Sequence, residues 1–412
     1  MDPTIFDELE RTLAAEGPDA AIHCLCERLR ENKDYSSLFY ALLMHKRQQL
    51  GVSPIPTGPA ADLPESTHAE YEEAIRQAGR QVGELYLQEG RLAQAWAYFR
   101  MLNEPEPMRR VLDAYEPKED EDMQTLVQIA FYEGVHPRKG FDWILQRFGL
   151  CNAITTLSSQ EFSHAPEDRQ YCLQALVRAL YAELRERLAA EIERHDGNIS
   201  PPTLPSPTRG EGEKEPSPLV GEGRVGGASI RELIAGRDWL FGDDCYHIDL
   251  SHLSSVVQMS MHLTPCRELE MARELCEYGQ HLSGRFVHPG DPPFEDLYRA
   301  IGIYLAILAG DNIEEGLDYF RRQAEQTDPE TIGTYPAQVL VNLLLRLERP
   351  TEALAVARKY LATADNRQLS CPSIVELCRK VGDYRTLAEV AREQGDPVHF
   401  LAGLLAQSGP RS

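Results

Sequence analysis

Residues 76–107 read RQAGRQVGELYLQEGRLAQAWAYFRMLNEPEP, and Val82, Gly83, Tyr86, Gly90, Ala95, Phe99 and Pro107 carry the pattern. Apolar residues return at helical spacing on both sides of Gly90. The same periodicity runs along almost the whole chain, and strand-type alternation over more than four residues is hard to find. The fold class is therefore predicted to be all-α. Near the N-terminus Ile5, Leu9 and Leu13 form one stripe, Gly17, Pro18 and Asp19 interrupt it, and Ile22, Leu25 and Leu29 form the next. A break this short turns a helix back on its predecessor.

The layout recurs downstream. Ile303, Tyr304, Ile307, Gly310, Asp311, Gly316 and Phe320 repeat it, as do Leu340, Val341, Leu344, Ala353 and Ala357. Val375, Gly382, Asp383 and Ala388 form a further copy in which Glu376 and Arg379 occupy positions the pattern makes apolar. Gly316, Ala353 and Ala388 follow one another at intervals of 37 and 35 residues, a period that belongs to stacked helix pairs.

Residues 76–107 resemble a tetratricopeptide repeat, and with the later copies the chain resembles a TPR-like α-solenoid of antiparallel helix pairs. The resemblance implies that Gly83 lets two helices approach closely, Tyr86 fills the gap between them and Ala95 packs opposite Gly83. The family's early Trp is missing from Arg76–Gly79. It further implies a non-enzymatic scaffold that binds a peptide or partner protein in a groove lined by the first helix of each pair. The lining positions include Arg80, Gln81 and Glu84 in the best copy and Asn342 and Arg346 in a later one. Long amides and guanidiniums there suit an extended peptide's backbone or carboxylates. Family clamps for a terminal carboxylate gather several basic residues in one groove, whereas here the lining positions of each copy offer one Arg.

Five segments are predicted: helical pairs over 1–50, a Pro-rich connector over 51–66, a helical block over 67–198, an insertion over 199–227 and a second helical block over 228–412. The first block holds the repeat at 76–107 and the second holds repeats over 297–400. A long helix is expected from Glu167 to His195, with Leu173, Leu176, Leu180, Leu184, Leu188 and Ile192 in register. In the insertion Gly and Pro fill 12 of 29 positions and no aromatic residue occurs, so it is predicted to be disordered. Its segment 206–212 recurs in altered form at 217–223. This stretch resembles the translated interspersed palindromic repeats of some bacterial genomes, which implies a neutral loop in a bacterial protein.

The 412 residues include 65 acidic and 42 basic side chains, for a net charge of -23. That balance repels phosphate backbones and anionic lipid, so neither nucleic acid nor membrane is an expected partner. The N-terminal residues are acidic and lack a secretory pattern, and the chain is predicted to be cytoplasmic. Nine cysteines without regular spacing are predicted to be reduced thiols.

The alternative reading is a metal-dependent hydrolase. Asp243, Asp244, Cys245, His247, Asp249, His252 and His262 form the one dense group of ligand-type residues, and His247, Asp249 and His252 are its candidate ligands. Against it, Asp249 or Ser251 suits a helix N-cap, and no HExxH motif is present. A basic turn at His136, Arg138 and Lys139 is a candidate anion site. Nucleotide-binding, serine-hydrolase and kinase signatures are absent. No cofactor is predicted.

Overall fold

The computed structural model describes residues 4–55, 63–118, 121–159, 166–197, 227–286, 290–328 and 333–408. Among them every regular element is a helix and no strand occurs, so the fold is all-α. Except for Gly227, the predicted insertion lies outside the described residues, as do residues 56–62 of the Pro-rich connector. No helix among the described residues is long and apolar enough to cross a membrane. The chain divides into two compact units, Met1–Arg147 and Phe148–Ser412. The division falls inside the stretch 67–198 that the sequence pattern treats as one block.

Unit 1 contains α1 (Thr4–Glu16), α2 (Pro18–Glu31), α3 (Tyr35–Gln49), α4 (His68–Gln88), α5 (Leu92–Leu102), α6 (Glu106–Ala114), α7 (Gln124–Val127) and α8 (Pro137–Trp143). A π-helical turn, Gln128–Tyr132, continues α7. The 21 residues of α4 bury Tyr71, Ala78, Val82 and Tyr86 on one stripe, which meets Leu92, Ala95, Trp96 and Phe99 of α5. Gly83 makes that meeting possible: a Cβ there would lie 2.8 Å from the fully buried ring of Phe99. On α1 only Ile5 of the expected stripe is buried, and Leu13 is exposed.

Unit 2 contains α9 (Gly149–Ser159), α10 (Pro166–Asp196), α11 (Ile230–Ile234), α12 (Leu250–Ser260), α13 (Arg267–Gln280), α14 (Leu297–Ala309), α15 (Ile313–Gln326), α16 (Tyr335–Arg346), α17 (Pro350–Tyr360), α18 (Ile374–Val381), α19 (Tyr384–Glu393) and α20 (Pro397–Ser408). The 31-residue α10 extends one residue beyond each expected end, and it buries Leu173, Leu176, Leu180, Leu184 and Leu188. After residues 198–226 the chain packs against α10 through α11. The Ile230 N–H donates to Tyr181 Oη at 3.3 Å, Tyr181 donates to Glu274 at 2.8 Å, and the Arg231 N–H donates to the same carboxylate at 3.2 Å. Ser229 and Glu232 cap α11 reciprocally.

One turn recurs in both units. A residue at positive φ ends a helix, and the next N–H donates to the carbonyl five residues back, as in a Schellman ending. It occurs at Gly90–Arg91, Gly310–Asp311, Glu348–Arg349, Gly382–Asp383 and Gly395–Asp396, with bonds of 2.8–3.0 Å to Tyr86, Ala306, Leu344, Cys378 and Ala391. Asp383 and Asp396 then accept N–H bonds from Thr386 and His399 in the following helix, at 3.0 and 3.1 Å. Close helix approaches flank these turns. A Cβ on Gly316 would lie 2.6 Å from Ile307, and Ala353 is fully buried. Glu376, a misfit in the repeat pattern, accepts from the Ser373 N–H at 2.8 Å in a capping box at the start of α18.

Candidate functional site

Of the groove positions read from the sequence, three have internal partners. Arg80 on α4 makes a fork-shaped pair with Glu104, its Nε and Nη2 reaching the carboxylate at 2.8 and 2.6 Å. This pairing holds the Glu104 carboxyl below its usual pKa and raises that of Arg80. Asn342 on α16 donates to the Ser370 carbonyl at 3.1 Å. Arg346, at the end of the same helix, donates from both terminal nitrogens to the carbonyls of Met261 and Leu263, just past α12. Gln81 is half-buried, Glu84 is exposed, and neither makes a side-chain hydrogen bond among the described residues.

The candidate metal ligands have separate local tasks. Asp249 is the N-cap of α12, accepting from the Ser251 N–H at 2.8 Å, the Ser251 hydroxyl at 2.6 Å and the His252 N–H at 3.4 Å. These bonds, those of Ser251 foremost, hold its carboxyl below the usual pKa. His247 faces Tyr278, whose oxygen accepts the His247 N–H at 2.9 Å and lies 3.1 Å from Nδ1. His252 is half-buried. Among the described residues no three His, Cys, Asp or Glu side chains gather as a metal site would need, so His247, Asp249 and His252 are not brought together as ligands. The basic turn is likewise tied locally. His136 Nε2 lies 3.3 Å from Asp113, and Lys139 donates to the Asp113 carbonyl at 2.8 Å.

Burial holds the His247 imidazole below its usual pKa, and burial acts on His262 in the same direction. The neutral ring is the folded form, with Nδ1 placed to accept the Tyr278 hydroxyl proton. The unfolded chain therefore binds the proton first as pH falls. The stability from the neutral ring is complete above the unfolded pKa of about 6.5 and is lost as pH drops toward the folded value. The thermal stability of unit 2, followed by fluorescence of Trp239, is expected to fall as pH drops below about 6.5. His247→Gln, which keeps an acceptor for Tyr278, should flatten that decline. A pH profile identical in the two chains would remove His247 as its source.

A groove of about 400 Å³ lies in unit 1 between α5 and the segment Gln124–Glu133. Ala93, Trp96, Ala97 and Arg100 of α5 face Gln124, Thr125, Gln128, Ile129 and Glu133 across it. The Trp96 indole donates to Glu133 at 2.5 Å and Arg100 donates to the same oxygen at 3.1 Å, which fixes one wall. Gln124, Thr125 and Gln128 are exposed, and their side chains make no hydrogen bond among the described residues. The groove thus joins small and aromatic apolar groups to unused amides and a hydroxyl, at a size within the usual range for ligand sites. It involves the second helix of the pair, whereas the sequence reading placed the lining on the first. The signal was present: Ala93 and Ala97 lie four apart on the face of α5 away from Ala95 and Phe99, and Gln124 and Gln128 are also four apart.

The chain matches no protein-family model, no curated protein and no solved structure.

Proposed function

We propose that the chain is a non-enzymatic helical-repeat scaffold whose TPR-like helix pairs hold a peptide or partner protein. The observation that carries this reading is the groove between α5 and Gln124–Glu133, with Trp96 and two alanines beside unbonded Gln124, Thr125 and Gln128. Such amides hydrogen-bond a peptide backbone, and the apolar groups take an apolar side chain from it. The recurring helix–turn–helix geometry and the close approaches at Gly83 and Gly316 support the solenoid part of the proposal. Gln81 and Glu84 on α4 remain open to partner contact, while Arg80, Asn342 and Arg346 would first have to release internal bonds. Nine cysteines without regular spacing suit a reducing, cytoplasmic setting, and the charge of -23 disfavours nucleic acid.

The test is paired affinity capture from a cell lysate with the natural chain and Ala93→Arg/Ala97→Arg, whose guanidiniums would fill the groove from exposed positions. A partner retained by the natural chain should bind the variant at least about tenfold more weakly, a loss of roughly 1.4 kcal/mol. The two chains should melt alike. If every retained protein binds both equally, this groove is not the binding site.

A further inference from the structure

The outer face of α20 is apolar. Val398, Leu401 and Leu405 are 72%, 55% and 64% exposed, and Leu404 beside them is 41% exposed. Their spacing of three and four residues places the first three on one stripe. The opposite face is packed on α19: a Cβ on Gly403 would lie 3.0 Å from the Ala388 nitrogen and the Tyr384 carbonyl, and Gln407 donates to that carbonyl at 3.1 Å. The exposed stripe is therefore not an inner surface left loose. The other exposed large apolar side chains are spread through the chain. An apolar patch on the order of 400 Å² is comparable to the largest patch on a typical monomer, and patches of that rank are often functional.

We infer that α20 is a self-association surface and that its occupant is α20 of a second copy of this chain. Two observations favour a second copy. The helix carries no Asp, Glu, Lys or Arg in a chain of net charge -23, so like-charged molecules can meet along it without opposing carboxylates face to face. In addition, a Val–Leu–Leu stripe at i, i+3 and i+7 has the spacing of a two-helix seam, which is its own complement about a two-fold axis. Two such patches bury on the order of 800 Å², below the roughly 1,200 Å² of a standard stable interface, so the dimer is weak and reversible. Salt strengthens it by screening the repulsion between the acidic bodies.

The test is sedimentation equilibrium of the full chain at about 5–100 µM in low salt and in roughly 0.5 M NaCl, where the Debye length is a few ångströms. The natural chain is expected to move from 46.4 kDa toward twice that mass as concentration rises, and further at high salt. Leu401→Glu/Leu405→Glu should stay at 46.4 kDa while keeping its helix content and melting temperature, because both side chains are exposed. A photoreactive benzoylphenylalanine at position 405 should give a covalent dimer whose adduct maps to α20 of the other copy. A natural chain that stays monomeric throughout overturns the proposal, and so does a variant that still dimerises. An adduct mapped to another segment, or a monomer that binds neutral lipid vesicles through these leucines, overturns it as well.

Discussion

Phe99→Ala is expected to lower the stability of unit 1 by about 3–5 kcal/mol, the range for emptying a fully enclosed aromatic site. Phe99 is wholly buried on α5 and its ring fills the space that Gly83 leaves on α4. Urea unfolding, followed by fluorescence of the buried Trp96 and Trp143, should shift its midpoint down by more than about 1 M. The reciprocal change, Gly83→Ala, pushes a methyl into the same ring and should cost about 1–3 kcal/mol. The two positions are expected to couple: in Gly83→Ala/Phe99→Leu the smaller side chain makes room for the methyl, so the double variant loses less than the two single losses added together. Strict additivity would mean that the helices do not depend on this contact for their approach.

Arg346→Ala should cost unit 2 about 2–4 kcal/mol, because two carbonyls lose charge-assisted partners at once. The Leu263 residue is fully buried, so water cannot readily replace the guanidinium there. Arg346→Lys should recover only part of the loss, since an ammonium does not reproduce the fork that reaches both the Met261 and Leu263 carbonyls. The transition is read from the fluorescence of Trp239, which stacks on His195 at 3.8 Å in this unit. An alanine variant that melts like the natural chain would refute this structural role and return Arg346 to the partner-binding residues.

These two residues show how far sequence pattern reaches. Helical periodicity is a local property, so the all-α class and the long α10 were legible, and the resemblance to a tetratricopeptide repeat pointed to Gly83 as a place of close helix approach. Glu348 was not legible as a turn residue, because it adopts at a φ of 58° the conformation that Gly310 and Gly382 take without a side-chain penalty. Glu376 read as a fault in the repeat because the pattern weighs hydrophobicity, whereas its task is to cap α18.

The site was harder to read for one physical reason. A polar side chain on a helix face looks the same in sequence whether it faces a ligand or a distant part of its own chain. Arg80 finds Glu104 24 residues away, and Arg346 finds carbonyls more than 80 residues upstream. The groove beside Trp96 exists only because α7 and its π-turn are placed against α5, a tertiary fact that helix spacing does not encode.

The return of the chain to α10 has a consequence for how this protein can change. Tyr181 and Glu274 hold the backbone of Ile230 and Arg231, and Ser229 closes its own cap, so the rejoining point is secured by bonds that need nothing from residues 198–226. Codons gained or lost between Gly197 and Gly227 would leave each of these anchoring bonds with both of its partners, so selection acting through them would scarcely register the difference.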